Sequence, residues 1–248
     1  MLAPKESSID ISIGNHDYII TQSPALLRSD HTQGTTGAAL WQSGVRFAKW
    51  LHESPTLVES GIIQTDGSVL ELGAGVGLVG SMFARLIPSG RVVVSDMDYA
   101  VKLLRHNIEA NITPASTTRH KSRPKTTLAA RIDVAKFDWE KDDARWLLED
   151  LGLQDGVDVI VACDCIYNYA LIQPFVESCA AVCEVRRDAE RQQPTFCIIV
   201  QHLRQPAVFE EWLDLTLQSF NAWRLPSEIV GAELDLENGF VVHLLTLK

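Results

Sequence analysis

The sequence lacks any apolar run that approaches the roughly 20 residues of a helix spanning a bilayer. Its first residues, MLAPKESSIDISIGN, contain neither the basic segment nor the apolar stretch of a secretory signal. We therefore expect a soluble protein with no membrane partner, located in the cytoplasm or the nucleus.

Cysteine is scarce and odd in number, with five among 248 residues. A chain of this length buries a full core without disulfide staples, so reduced thiols are the expectation. The spacings Cys163-x-Cys165 and Cys179-x-x-x-Cys183 have neither the usual metal-ligand pairing nor flanking histidines. We expect no metal site.

Basic residues are fewer than acidic ones, 22 against 32, and the net charge is −10. This balance repels phosphate backbones and favours a basic partner, so direct nucleic-acid binding is not expected. Residues 115–131 are the exception, because they carry five basic residues and no acidic one. A solvated linker and a contact to RNA or an acidic surface are both open for this segment.

Three common catalytic motifs are also missing from the sequence. No G-x-S-x-G, H-E-x-x-H or P-loop pattern occurs. Their absence argues against hydrolases with a nucleophile elbow, zinc proteases of that type and P-loop nucleotide triphosphatases.

From Gly67 onward, apolar strands alternate with helical patterns, which predicts an α/β fold with a mostly parallel sheet. The predicted strands are SVLEL, RVVVSD, ARIDVAKF, VDVIVAC, TFCIIV, FNAWRL and GFVVHLLTL. Helices are predicted at 77–87, 99–110, 141–151, 171–187 and 206–219. Before them, residues 9–22 alternate around Gly14-Asn15, which predicts a β-hairpin.

A glycine motif directly follows the first of these strands, with Gly73, Gly75 and Gly77 in a G-x-G-x-G pattern and Glu71 two positions earlier. Glycine permits both the tight turn and the close approach of backbone amides to a ligand. This spacing is typical of S-adenosylmethionine sites. The dinucleotide alternative, G-x-G-x-x-G ending at Gly80, begins two residues late, inside the predicted helix.

Asp96 ends the second predicted strand, 19 residues after Gly77. A carboxylate at this point accepts hydrogen bonds from the ribose hydroxyls of a nucleoside, although Asp also caps helices. Trp41 and Trp139 are candidates to border the adenine or the sulfonium, since aromatic faces attract cations, and the alternative for each is the core.

Asp164 and Tyr167 follow the fourth predicted strand, at the edge where open α/β sheets bind ligands. Three residues apart, they are able to face one pocket. The alternative is that Asp164 caps the next turn and Tyr167 packs in the core. His202 also follows a strand and is a candidate to line the pocket, whereas His243 alternates within a closing strand and is interpreted as structural.

Taken in order, the segments GTTGAALW, VLELGAGVGLVG, SDMDYAVKLLRHNIEAN, FDW and DCIY resemble the family-16 seven-β-strand protein-lysine methyltransferases. The stretches CDCIYNYALIQPFV and NGFVVHL are most similar to the fungal ribosomal lysine methyltransferases that modify a large-subunit ribosomal protein. The resemblance implies a Rossmann-like S-adenosylmethionine-dependent methyltransferase fold. Residues 57–248 would form the methyltransferase domain and residues 1–56 a hairpin and cofactor-covering segment, in one structural unit.

The resemblance also implies roles for individual residues. Contact with S-adenosylmethionine, which leaves as S-adenosylhomocysteine, is implied for Trp41, Gly73, Ala74, Gly75, Asp96, Trp139 and Cys163. Asp164 and Tyr167 match the D-x-x-Y motif near the target lysine. Gln42 departs from the pattern, because many members carry Asp or Pro there.

These observations favour methylation of a lysine on a basic protein, with a ribosomal protein as the expected substrate. The lysine must lose a proton before it attacks, and Asp164 alone would stabilise the ammonium, so its expected task is to capture and aim the lysine. The alternatives are a small-molecule methyltransferase, a non-catalytic RNA-binding module that retains the fold, and a nicotinamide oxidoreductase.

Overall fold

The computed structural model describes residues 5–24, 36–54, 56–112 and 131–248. Its strands are β1 Ser8–Ile13, β2 His16–Thr21, β3 Ser68–Leu72, β4 Arg91–Asp96, β5 Arg131–Lys136, β6 Val159–Cys163, β7 Phe196–His202, β8 Phe220–Arg224 and β9 Phe240–Leu247. Its helices are α1 Gln42–Glu53, α2 Thr56–Glu59, α3 Leu78–Leu86, α4 Asp98–Ile112, α5 Ala144–Asp150, α6 Tyr169–Asp188, α7 Pro206–Ser219 and α8 Ser227–Val230. A 3-10 turn covers Thr36–Ala38.

The main sheet has seven strands in the order β5-β4-β3-β6-β7-β9-β8. The pairs from β5 to β7 are parallel, and β9 pairs antiparallel with both β7 and β8. Strands β1 and β2 form a separate antiparallel hairpin. The predicted α/β class, the mostly parallel seven-stranded sheet and the N-terminal hairpin are confirmed.

The central strands are apolar on both faces because helices cover both sides of the sheet. Val69 and Val161 face one apolar cluster, formed with α1, α3, α4 and the hairpin. Leu70 and Ile160 face the other, formed with α5, α6 and α7. This alternation along buried strands produces three layers, helices over sheet over helices.

The strand order places a topological switch between β3 and β6. From β3 the chain builds outward through β4 to β5, and β6 then returns to the opposite side of β3. Ligands in open α/β sheets bind outside the carboxyl ends of the strands at such a switch point. The segments that follow β3 and β6 therefore lie where a ligand is expected.

The structure also bears on possible membrane-spanning helices and on the basic segment 115–131. Within the described ranges, no helix combines the length and the apolar character needed to cross a membrane. The basic segment 115–131 lies outside the described residues, apart from Arg131 at the start of β5.

Candidate active site

The glycine loop connects β3 to α3 in a conformation that side chains oppose. Gly73, Gly75 and Gly77 all have positive φ, at 66°, 55° and 84°. A Cβ on Gly73 would lie 2.7 Å from the Cys165 sulfur, and a Cβ on Gly77 would lie 2.7 Å from a methyl carbon of Leu104. The G-x-G-x-G pattern therefore reflects both backbone conformation and close packing.

Asp96, the last residue of β4, fastens this loop. One carboxylate oxygen accepts the backbone N–H of Gly75 at 2.7 Å, and the other accepts that of Met97 at 2.7 Å. Burial raises the pKa of Asp96 to about 6. The contact with Met97, just before α4, resembles the capping alternative, and the carboxylate also borders the cavity described next.

A cavity of about 310 Å³ opens at the carboxyl ends of β3, β4, β6 and β7. Eight residues predicted from the sequence line it: Trp41, Gly73, Gly75, Asp96, Trp139, Cys163, Asp164 and Tyr167. His202 lines it as well, whereas His243 is buried in β9. Glu71, Ala74 and Gly77, which were predicted to bind the cofactor, are not part of the cavity wall. Cofactor contact by each of these residues stays a prediction.

Glu71 lies behind the glycine loop, buried in β3. Burial raises the pKa of Glu71 to about 8, so at neutral pH it is a neutral carboxylic acid. One of its oxygens has no hydrogen-bond partner among the described residues. A Cβ on Gly80 of α3 would come within 2.8 Å of that oxygen, so the acid packs directly beneath the helix.

Asp164 follows β6 with φ 58°, a left-handed conformation that Asp tolerates better than most residues. Its backbone N–H donates to the carbonyl of Val200 at 2.7 Å, which holds the turn against β7. One side-chain oxygen, Oδ2, accepts Ser43 Oγ at 3.0 Å and Arg204 Nη2 at 2.6 Å. The carboxylate is thereby fixed at the cavity wall. Asn168, rather than Asp164, caps α6 by accepting the N–H of Ala170.

Tyr167 belongs to a group of hydrogen bonds that holds the turn at Thr36–Ala38 over the cavity. Thr36 Oγ1 donates to the Tyr167 hydroxyl at 3.0 Å, and Gly37 N donates to the Tyr99 hydroxyl at 3.1 Å. Trp41 Nε1 donates to the carbonyl of Thr36 at 2.9 Å. The aromatic residues thus connect the N-terminal segment to the sheet, and burial raises the pKa of both tyrosines.

For Trp41 and Trp139, the sequence left open whether each borders the cofactor or packs in the core, and the structure shows the contacts of both. Trp139 packs edge-to-face on Phe175, with ring centroids 5.1 Å apart, and also lines the cavity beside Gly73. The guanidinium carbon of Arg204 lies 5.5 Å from the centre of the Trp41 ring. One tryptophan therefore belongs partly to the core, and the other already contacts a cation.

The thiols at this edge are neutral; Cys165 is buried, and Cys163 is partly buried at the cavity wall. Burial raises the pKa of Cys163 and of Cys165 well above the ordinary thiol value. The sulfur of Cys165 lies 3.2 Å from the carbonyl oxygen of Leu72, its hydrogen-bond acceptor. In the described part of the chain, no group of three or more His, Cys, Asp or Glu residues has the geometry of a metal site.

Comparison with known families agrees with this geometry. A family model described as lysine methyltransferase matches residues 20–189, more than half of the chain. The chain belongs to this family. The resemblance inferred from the sequence is confirmed, and the predicted cofactor, S-adenosylmethionine, is the one on which methyltransferases of this family depend.

Three proteins illustrate what this lysine methyltransferase is similar to. A Schizosaccharomyces pombe protein named diaminohydroxyphosphoribosylamino-pyrimidine deaminase is 28% identical over 86% of this chain and 45% of its own. Ribosomal lysine N-methyltransferase 5 of Zygosaccharomyces rouxii is 26% identical over 83% of this chain and 72% of its own. Mouse protein-lysine N-methyltransferase EEF2KMT is 25% identical over 72% of this chain and 49% of its own. The chain thus spans about half the length of the first and third of these relatives.

Sequence reasoning missed several residues of the site. Thr36, Gly37 and Tyr99 line the cavity, and Ser43 and Arg204 contact Asp164. Tyr99 had a weak signal, since it follows Asp96 by three residues at the carboxyl end of a strand. Arg204 also had a weak signal, since it follows His202 by two residues at the carboxyl end of a strand. Ser43 had none, because it meets Asp164 only through the folding of distant segments.

Proposed function

We propose that this chain is an S-adenosylmethionine-dependent protein-lysine N-methyltransferase. The observation that carries the proposal is the joining of two features in one cavity. The glycine loop and Asp96 line the cavity after β3 and β4, and Asp164 presents a fixed carboxylate after β6. A methyl donor and an amine acceptor would meet between these two walls.

The residues present fit S-adenosylmethionine. Asp96 would accept the ribose hydroxyls, the glycine loop leaves room for close backbone approach, and Trp139 would border the adenine or the sulfonium. A cavity of about 310 Å³ is in the range of sites for ligands of this size. When bound, the cofactor supplies an electrophilic methyl group on sulfur.

The chain's own residues would then hold and aim the acceptor. Asp164 would accept an N–H of the substrate amine and orient its lone pair toward the methyl group. Tyr167 would shape the channel by which the lysine side chain enters, since its hydroxyl is held by Thr36 at 3.0 Å. Ala74, Gly77, Cys163 and Glu71 retain their proposed place in or behind the cofactor site.

The proposed substrate is a basic protein, and specifically a protein of the large ribosomal subunit. The net charge of −10 favours a basic partner, and two similar yeast proteins, from Zygosaccharomyces rouxii and Lachancea thermotolerans, are named ribosomal lysine N-methyltransferase 5. We propose a cytoplasmic location, with the nucleus as the alternative, and the five free thiols support this proposal. Direct RNA contact is proposed only for the basic segment 115–131.

The deaminase name of the fission yeast relative is not carried over to this chain. Zinc-dependent nucleobase deaminases use H-x-E and P-C-x-x-C patterns. Neither pattern occurs in this sequence.

The testing experiment replaces Asp164 with Ala and follows labelled methyl groups from S-adenosylmethionine into a fungal extract that lacks the protein. Wild type is expected to label one basic ribosomal protein, and D164A to lose at least about a hundredfold of that activity because the amine is no longer held. Binding of S-adenosylhomocysteine, measured by calorimetry, should change less than about threefold in D164A.

The control is Asp188→Ala, which removes an exposed carboxylate that pairs with Arg145 away from the cavity. D188A should label the same band as wild type. Equal activity of D164A and wild type would refute the role of Asp164. Label confined to small molecules would favour the small-molecule alternative, and cofactor binding without any transfer would favour a binding module.

A further inference from the structure

The Asp164 carboxylate carries two donors on one oxygen. Oδ2 accepts both Ser43 Oγ at 3.0 Å and Arg204 Nη2 at 2.6 Å. Among the described residues, none donates to Oδ1. Half of the carboxylate is therefore committed to the chain's own donors, and the other half remains an acceptor.

Arg204 is held beside this carboxylate from three directions. Its guanidinium contacts Asp164 on one side and lies over the Trp41 ring, at 5.5 Å, on the other. Its backbone N–H donates to the carbonyl of His202 at 2.8 Å, which fixes the loop between β7 and α7. The Arg204 side chain is 41% exposed and that of Asp164 only 7%, so the arginine covers the carboxylate at the cavity mouth.

A carboxylate without a cationic partner would hold the substrate lysine in its protonated, unreactive form. A lysine amine has an ordinary pKa of about 10.4, and only its neutral form has a lone pair for attack. An opposite charge within a few ångströms favours the charged form by about one to three pKa units. Asp164 alone would therefore keep the substrate protonated, whereas an arginine on the same carboxylate offsets that effect.

We propose that Arg204 is a positioning residue that neutralises Asp164 and leaves Oδ1 to orient the substrate amine in its uncharged form. The inference rests on the proposed function and assigns a role to a residue outside the D-x-x-Y motif. The substrate ammonium first releases one proton to water. Its nitrogen lone pair then forms a bond to the methyl carbon as the carbon–sulfur bond breaks, and the electron pair of the broken bond remains on sulfur. The methylated nitrogen takes the positive charge and releases its proton to water when the amine is regenerated. Arg204 and Asp164 keep their protonation states throughout.

Other charged and titratable groups face this ion pair from the elements around it. Burial keeps the Cys163 and Cys165 thiols neutral. His202 from β7 interacts with both Arg204 and Asp164. The remaining groups lie one contact farther away, where Glu71 from β3, Asp96 from β4 and Tyr167 after β6 interact with Cys165, and Arg46 from α1 interacts with His202. Arg204 is one of the charges that lower the pKa of His202, so replacing Arg204 also moves the pKa of His202 back toward its ordinary value of 6.5. The alkaline parts of the pH profiles, well above that value, therefore report on Arg204 rather than on His202.

The experiment compares wild type with Arg204→Gln and Arg204→Lys from about pH 6.5 to about pH 10, a range that approaches the lysine pKa. The acceptor is the protein fraction of salt-washed fungal large ribosomal subunits, and the readout is transfer of labelled methyl groups. R204Q should move the rise of kcat toward alkaline pH by about one unit and lower kcat at neutral pH about tenfold. Its apparent KM should stay level or fall, because the bare carboxylate binds the ammonium more tightly. R204K should restore most of the neutral-pH rate.

The matched control is Arg145→Gln. Arg145 donates to Asp188 at 2.7 Å and is 43% exposed, so it matches Arg204 in its own exposure and in pairing with an aspartate, but its partner carboxylate is 54% exposed. It lies against the last turn of α6, about 30 Å along this 20-residue helix from the active-site end. R145Q should reproduce the wild-type pH profile.

The outcomes separate the inference from the function on which it rests. Wild type that transfers no methyl group to protein lysine overturns both. If wild type is active, an R204Q profile parallel to the wild-type profile, whether equal or uniformly lower, overturns the role of Arg204 alone. If R204Q binds S-adenosylhomocysteine as tightly as wild type, the variant is folded. The R204K profile then shows whether a positive charge at this position is enough to keep the wild-type pH dependence.

Discussion

At the scale of single residues, two buried carboxyl groups keep their protons to a higher pH than they would in water. Burial raises the pKa of Glu71 from 4.5 to about 8 and that of Asp96 from 3.8 to about 6. The native state therefore binds protons at pH values where the unfolded chain has released them. By linkage, such groups stabilise the fold below their unfolded pKa, and this stabilisation is lost as pH rises through their native pKa.

We predict that the free energy of unfolding falls as pH rises from about 6.5 to about 8, because the buried His243, whose pKa is lowered to about 4, opposes the effect of Glu71 only below its ordinary value of 6.5. Glu71→Gln, which keeps the size of the side chain and cannot ionise, should abolish most of this fall above about pH 6, where Asp96 no longer contributes. Urea unfolding without cofactor at several pH values measures the slope. The exposed-residue control Glu149→Gln should keep the wild-type slope. The same slope in E71Q as in wild type would show that Glu71 is ionised in the fold.

The residues of the site that sequence could predict are those tied to a local pattern. Gly73, Gly75 and Asp164 follow strands and Asp96 ends one, so the fold class implies that they lie close together at the carboxyl edge of the sheet. Arg204 also lies just after a strand, but its contact with Asp164 was not predictable, because it spans 40 residues and depends on where β7 lies beside β6.

At the scale of elements, two asparagines of α4 dock the hairpin. Asn107 accepts the N–H of Thr21 at 2.8 Å and donates to its carbonyl at 3.0 Å. Asn111 makes the same pair of bonds to Ile19, at 2.9 and 3.0 Å. Because positions four apart share one helix face, the two amides take the place of a neighbouring strand for β2. The NIEAN segment quoted for the family resemblance thus has a structural role.

We predict that Asn107→Ala lowers the free energy of unfolding by about 1–3 kcal/mol. Asn107 is only 1% exposed and also donates to the carbonyl of Val76 in the glycine loop at 3.1 Å. Removing its amide therefore leaves buried backbone groups without hydrogen-bond partners. Affinity for S-adenosylhomocysteine should fall as well, because the loop loses an anchor.

The control for this prediction is Asn111→Ala. Asn111 is less buried and makes no bond to the glycine loop in the described structure. It should cost about 0.5–1.5 kcal/mol and leave the cofactor affinity unchanged. Urea unfolding and calorimetry of both variants decide the matter, and equal effects of the two substitutions would contradict the role given to Asn107.

Most element types and positions were predictable from sequence, whereas their partners were not. Strand β6 is an apolar run, and α4 is flanked by strand signals, so both are visible locally. The insertion of β9 between β7 and β8 is not visible, because alternation along one strand does not state which edge it pairs with. The docking of the hairpin on α4 was likewise unpredicted.

At the scale of the whole molecule, the net charge of −10 acts on association with a basic substrate. Attraction between surface charges steers encounter and weakens as salt shortens the Debye length, which is about 10 Å at 0.1 M. The long-range part of substrate binding should therefore depend on ionic strength, and the chemical step in the cavity should not.

We predict that raising salt from about 0.05 to about 0.3 M increases the apparent KM for the ribosomal protein fraction several-fold with little change in kcat. Affinity for S-adenosylhomocysteine, measured over the same range, is the internal reference and should change much less. A KM that does not respond to salt would mean that short-range contacts alone select the substrate.

The position of β9 has a consequence for how the chain is made. Strand β9 follows β8 in the chain but lies between β7 and β8 in the sheet. During synthesis, β8 has no place to pair and the edge of β7 stays open until Phe240–Leu247 has emerged. An open strand edge is a template for pairing with other chains. A nascent chain stalled before Phe240 is thus exposed to aggregation and to chaperones in a way that the finished protein is not.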